Sequence, residues 1–172
     1  MMPDDMADLF TEEGTFRLGG RICIGQKSIR NYLRRTMHKR PEDSTKKLDL
    51  HMQLQGVVHI EQGGQTAKGR WQMLSLTTDY IGKPPGELQP IIGTGIYEME
   101  YTKENGIWKI KKLNYDGSFS CTLQDGWVKA TNVERTYAHL RAEVDQTIEI
   151  GDTTWPSGYK VPCHFKNPVT GR

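Results

Sequence analysis

Ile29, Tyr32, Leu33 and Met37 recur at three- and four-residue intervals along GQKSIRNYLRRTMHKR, while Lys27, Arg30, Asn31, Arg34 and Arg35 fill the positions between them. That spacing predicts a helix with one apolar stripe and a polar back, ended by Pro41. Ahead of it, DMADLF at 5–10 reads as the last turns of another helix. Phe16, Leu18, Ile22 and Ile24 fall at even positions around Gly19-Gly20, which predicts a short hairpin. Long strands are predicted at 48–60, 66–78 and 94–103. In the third, Tyr97, Met99 and Tyr101 share one face, and Ile96, Glu98 and Glu100 share the other. KENG turns it tightly into a fourth strand, IWKIKKLNY. YIGKPPGELQPIIG, with its prolines and glycines, reads as a loop at a pocket rim. Helices first and hairpin-linked strands afterwards predict an α+β fold built on a meandering antiparallel sheet. Beyond Tyr115, Val133, Tyr137, Leu140 and Val144 have helical spacing. The segment from Thr153 reads as an extended arm that docks through Trp155, Tyr159 and Phe165 on its own sheet or on a neighbour's.

The 172 residues suffice for one domain with a core, and 26% charged against 35% hydrophobic residues describes a polar-surfaced globular chain. The net charge of +2 is too small to imply a nucleic-acid partner. The basic cluster Arg30, Arg34, Arg35, Lys39 and Arg40 reads as a solvated helix face. No apolar run reaches the roughly 20 residues of a membrane span, and MMPDDMADLF lacks the features of a signal peptide. Cys23, Cys121 and Cys163 are scattered, which predicts reduced, buried thiols in a cytoplasmic protein. GTGIYE precedes a strand and lacks the third glycine of a dinucleotide fingerprint.

Two histidines lie in KLDLHMQLQGVVHI. His51 and His59 are eight residues apart, so a regular strand points both to one face. Eight strand residues span roughly 26 Å, too far for a shared metal.

Several motifs in order, MADLFTEEGTF, GQKSIRNYLRRTM, AKGRW, GIYEMEYTKENGIWKIKKLNY and DGW, resemble SnoaL-like domains of the nuclear-transport-factor-2-like superfamily. That superfamily includes scytalone dehydratase, ketosteroid isomerase, a bile acid dehydratase and polyketide cyclases. The resemblance covers about residues 5–127, and the tail YKVPCHFKNPVTGR looks like an extension of one branch. It implies a curved sheet wrapped around N-terminal helices as a cone with an apolar pocket. The corresponding division is a SnoaL-like domain at 1–128 and a C-terminal helix and arm at 129–172 packed on it. It also implies a pocket histidine, matched by His51, and a first-helix carboxylate at a position that falls before Met1. The expectation is therefore an N-terminal helix cut off at its front. The arginine that follows the fourth strand's aromatic in the bile acid dehydratase is matched by Asp116 and Gly117.

His51 is the candidate proton carrier, because imidazole changes charge near neutral pH. Asp116 is a candidate base if it lies in an apolar pocket, although NYDGS also reads as a good turn, and the turn is favoured. Tyr97 and Tyr115 are candidate phenol donors to a ligand carbonyl, Trp71 a candidate pocket wall, and Arg70 either an anion ligand or a surface residue. Tyr101 is a further wall candidate, and Trp108 is assigned to the core. The implied chemistry is proton transfer beside a carbonyl or hydroxyl of a small hydrophobic molecule, as in a dehydratase, isomerase or cyclase. It needs no redox cofactor and no metal. The alternative is a non-catalytic ligand-binding or dimerisation module. A homodimer through the sheet face away from the pocket is expected in either case.

Overall fold

The computed structural model describes residues 2–38, 48–80, 88–130, 144–149, 155–157, 159–167 and 169–171. Helix α1 spans Pro3–Asp8, β1 Phe10–Leu18, β2 Arg21–Ile24 and α2 Gln26–His38. Strands β3 Asp49–Ile60, β4 Thr66–Tyr80, β5 Leu88–Glu104 and β6 Ile107–Thr122 come next, then a short 3-10 turn at Trp127–Lys129 and β7 at Gln146–Thr147. One curved seven-stranded sheet runs β3-β4-β5-β6-β1-β2-β7. It is α+β as expected, but mixed rather than purely antiparallel. β1 returns parallel to β6, with Phe16 opposite Leu113 and Leu18 opposite Tyr115. The expected hairpin at Gly19-Gly20 joins β1 to β2.

The predicted stripe of α2 is the core. Ile29, Tyr32 and Leu33 are buried with Ala7, Phe10 and Cys23, and Phe16, Leu18, Ile110 and Leu113 of the sheet pack against them. Burial, followed by the nearby Asp145 carboxylate, pushes the Cys23 thiol up to about 11, so it stays protonated and behaves as an apolar filler. The basic back of α2 is not simply solvated. Arg34 donates to both carboxylate oxygens of Asp4 at 2.7 and 2.8 Å, and Arg30 donates to Asp8 at 2.6 Å, tying α1 to α2.

Three expectations about the strands change. Residues 88–93, read as loop, belong to β5, with Pro90 opposite Thr78. Asp116-Gly117 is not a turn: β6 runs through it to Thr122. Trp108 is 38% exposed, with Lys103 Nζ 5.0 Å from its ring centre, rather than in the core. Of the cysteines, Cys23 and Cys121 are buried, whereas Cys163 is exposed. The readings at Pro41, Val133–Leu140 and the middle of the 80–93 loop lie outside the described residues. Among the described residues, no helix is long and apolar enough to cross a membrane.

Candidate functional site

Strand register assigns each candidate to a face. Leu113 packs on the helices, and it stands opposite Met99, which stands opposite Gly69. Side chains alternate along a strand, so the helix side carries Tyr97 and Tyr115, which are mutual partners, and Trp71, the partner of Tyr97. Trp71 is in turn opposite Gly56, and Met73 is opposite Gln53.

Between Gln53 and Gly56 the β3–β4 register shifts by one residue. Such a bulge reverses the face of everything beyond it. His51, opposite Ser75, therefore shares the helix side with Trp71, while His59, opposite Lys68, points to the outer side. The even spacing that put both imidazoles on one face is overturned by this extra residue.

The helix-side floor is shaped by glycine. A Cβ on Gly56 or Gly69 would meet the Trp71 ring at 2.2 and 2.1 Å, so the indole lies flat across both backbones. A Cβ on Gly95 would meet the Tyr115 ring at 2.5 Å and the Asp116 carbonyl oxygen at 2.6 Å. The Tyr97 and Tyr115 rings are 4.9 Å apart, and Trp71 meets Tyr101 edge-on at 6.0 Å. Burial raises the Tyr97 phenol, and it pushes Tyr101 up to about 12, so both remain hydrogen-bond donors at neutral pH. Met73 and Ser75 are buried beside them. The surface thus runs from apolar and enclosed at Met73 to exposed at His51, whose side chain is 54% accessible.

His51 is not alone there. Its Nε2 stands 3.3 Å from Oδ1 of Asp49, two residues back on the same strand face. Asp49 is a site residue that the sequence reading lacks, although the order D-x-H on a strand is itself the signal: residues i and i+2 share a face.

Arg70 and Asp116 are on the outer side. Arg17 donates from Nη1 and Nη2 to the two oxygens of Asp116 at 2.7 Å each, and its Nε donates to Asn114 at 3.2 Å. Only 7% of the Asp116 side chain is exposed. Arg70 donates to Glu98, to the Val161 carbonyl at 3.1 Å and to the Pro162 carbonyl at 3.1 Å, pinning the C-terminal arm to the sheet. A cleft of about 340 Å³ lies between arm and sheet, lined by Arg17, Glu98, Asn114, Asp116, Tyr159 and His164 among others. The candidates therefore split. Trp71, Tyr97 and Tyr115 are neighbours on the helix side, and His51 shares that face four strand residues away, opposite Ser75; Asp116 and Arg70 stand on the other face with the arm. Glu98 and Glu100, whose side was open, belong to the outer face.

A family model described as a SnoaL-like domain matches residues 1–114. No curated protein matches the sequence. Among solved structures, a protein of unknown function from Mycobacterium tuberculosis is similar at 21% identity and TM-score 0.56, over 86% of this chain and 82% of that one. A hexachlorocyclohexane dehydrochlorinase is similar at 16% identity and TM-score 0.56, over 71% and 76%. A candidate scytalone dehydratase from Novosphingobium aromaticivorans is similar at 17% identity and TM-score 0.53, over 69% and 72%. Identities this low speak to the fold.

Proposed function

The chain belongs to the SnoaL-like domain family, and from that premise we propose that it is a cofactor-independent lyase or isomerase moving a proton on a small, flat, hydrophobic molecule. The observation that carries this reading is the helix-side surface, where an indole lies flat over two glycines, two phenols stand within one ring contact, and His51 stands at the rim. Trp71 gives the ligand an apolar floor, backed by the buried Met73. Tyr97 and Tyr115 offer O–H groups to an oxygen conjugated with the reacting carbon, and to the charge that develops on it as that carbon loses a proton. His51, opposite Ser75 and so four strand residues from the Trp71–Tyr97 pair, takes and returns that proton at the far end of the ligand. Asp49, with Oδ1 3.3 Å from Nε2, orients the imidazole. A dehydratase, an isomerase and a cyclase share this step and differ in the fate of the enolate it produces. Asp116 has no part in the step: on the opposite face, with both oxygens held by Arg17, it is a structural anion, and Arg70 is an anchor for the arm. The three unpaired thiols suit a reducing cytoplasm. The reading is tested by the fate of a carbon-bound proton. Incubated in D₂O with a panel of flat hydrophobic ketones, the protein should catalyse deuterium uptake beside the carbonyl of at least one.

The second reading, a binding module without turnover, draws on the 54% exposure of His51, which lies farther from shelter than a buried base would. It is favoured if the panel binds and no deuterium enters.

The outer face has a use under both readings. Beyond the arm it presents Leu50, Leu54 and Val57 of β3, each at least two-fifths exposed, in line with Leu74, Leu76 and Ile92. We infer a homodimer through this apolar part. Light scattering behind a sizing column should give about twice the 19.6 kDa chain mass, and Leu50→Glu with Leu54→Glu should halve it. A wild-type monomer at micromolar concentration contradicts the dimer.

A further inference from the structure

We propose that His59 and His164 form a proton-operated latch, which holds the C-terminal arm on the outer face of the sheet while the two facing nitrogens share no more than one proton and releases it when both rings are charged. Nδ1 of His59, near the end of β3, stands 3.1 Å from Nε2 of His164 in the arm. The ring centres are 5.3 Å apart, longer than the nitrogen separation by nearly two ring radii. The rings thus point at each other along one line, the geometry of an N–H···N hydrogen bond. The other nitrogen of His164, Nδ1, stands 2.7 Å from Oε2 of Glu98. A carboxylate only accepts, so Nδ1 carries a hydrogen and the tautomer is fixed.

This arrangement sets the proton count. With both rings neutral, Nε2 of His164 is bare and accepts from Nδ1–H of His59. With one proton added to His164, Nε2–H donates to a bare Nδ1 of His59. In both states the latch is closed. A second proton puts N–H against N–H and two cations at hydrogen-bond distance, so the link becomes a repulsion. Glu98 cannot absorb this, because it already serves Arg70 as well as His164. The surrounding charges are mixed. Lys68 and Arg70 of β4, Glu98 and Glu100 of β5, Arg17 of β1 and Asp116 of β6 across the cleft, Glu61 just past β3 and Lys166 of the arm surround or flank the pair. Phe165 packs on both imidazoles, at 5.2 and 5.0 Å between centres, so the ring cluster moves with the link. Once released, the arm is held by the carbonyl contacts of Arg70, and the cleft beneath it opens.

The closed arm has room for one proton between the two facing nitrogens, and the open arm has room for one on each, so acidification beyond the singly protonated state favours opening.

The test is backbone ¹⁵N relaxation of the full chain from pH 8 to pH 5, read at Cys163, His164 and Phe165, beyond the carbonyls that Arg70 keeps. Wild type should show ordered amides at pH 8 and order parameters below about 0.6 at pH 5. His59→Asn keeps a donor and an acceptor at the same place for either state of His164, so its arm should stay ordered throughout. His164→Ala should free the arm at every pH and supply the open reference. A wild-type arm equally ordered at both pH values overturns the latch. So does an arm in His59→Asn that loosens with pH as the wild type does.

Discussion

His51→Ala is expected to slow deuterium uptake into an active ketone by about 100- to 10,000-fold, the range that a positioned acid–base group contributes. Thermal stability should barely change, because the side chain is 54% exposed and stands outside the hydrophobic core. Asp49→Asn keeps the shape beside Nε2 but not the charge, and is expected to cost less than His51→Ala. A loss under about threefold in His51→Ala is too small for proton transfer and would assign His51 to the surface.

Arg17→Met should be the most destabilising single change on the outer face. It leaves the Asp116 carboxylate, 7% exposed, without the two bonds that offset its desolvation. Removing one partner of a buried pair costs about 3–5 kcal/mol. For a chain of this size that corresponds to a fall in Tm on the order of 10 °C. The double variant Arg17→Met, Asp116→Leu should recover most of the loss, because no charge is left stranded. Thermal unfolding of the three proteins measures this. A single variant within about 1 kcal/mol of wild type would show that water reaches Asp116 and that the pair contributes little.

The order of elements is legible in the sequence because it rests on strong local signals. The 3.6-residue stripe Ile29–Met37 is the buried face of α2, and the alternation at Tyr97, Met99 and Tyr101 is the helix side of β5. The features that escape the sequence depend on distant partners. Asp116-Gly117 has turn chemistry, yet Arg17, 99 residues away in sequence, holds the aspartate flat in β6. Pro90 argues against a strand in isolation, yet it pairs with Thr78 near the end of β4. The faces of His51 and His59 hinge on one extra residue between Gln53 and Gly56, and no periodicity announces a bulge. The candidate site is therefore half legible. The aromatic residues and His51 lie together on one face, whereas Asp116 and Arg70 need the register to show that they serve the other. Asp49 lies two residues before His51, within reach of strand alternation, while the family resemblance points instead to a helix carboxylate.

If a flat apolar molecule sits on the helix side of the sheet, the chain's tryptophans separate that position cleanly from its rivals. Trp71 lies over Gly56 and Gly69 on the helix side; Trp108 stands by Lys103 at the β5–β6 turn; Trp127 packs on Phe119; Trp155 hydrogen-bonds through its backbone to Ser118 at the arm. Titrating ¹⁵N-labelled protein with 2-naphthol while following the indole N–H resonances reads all of these positions at once. The Trp71 signal should move in a saturable way while the other indoles stay in place. Saturable movement of Trp155 or Trp127 with Trp71 unchanged would put the molecule elsewhere and contradict the site.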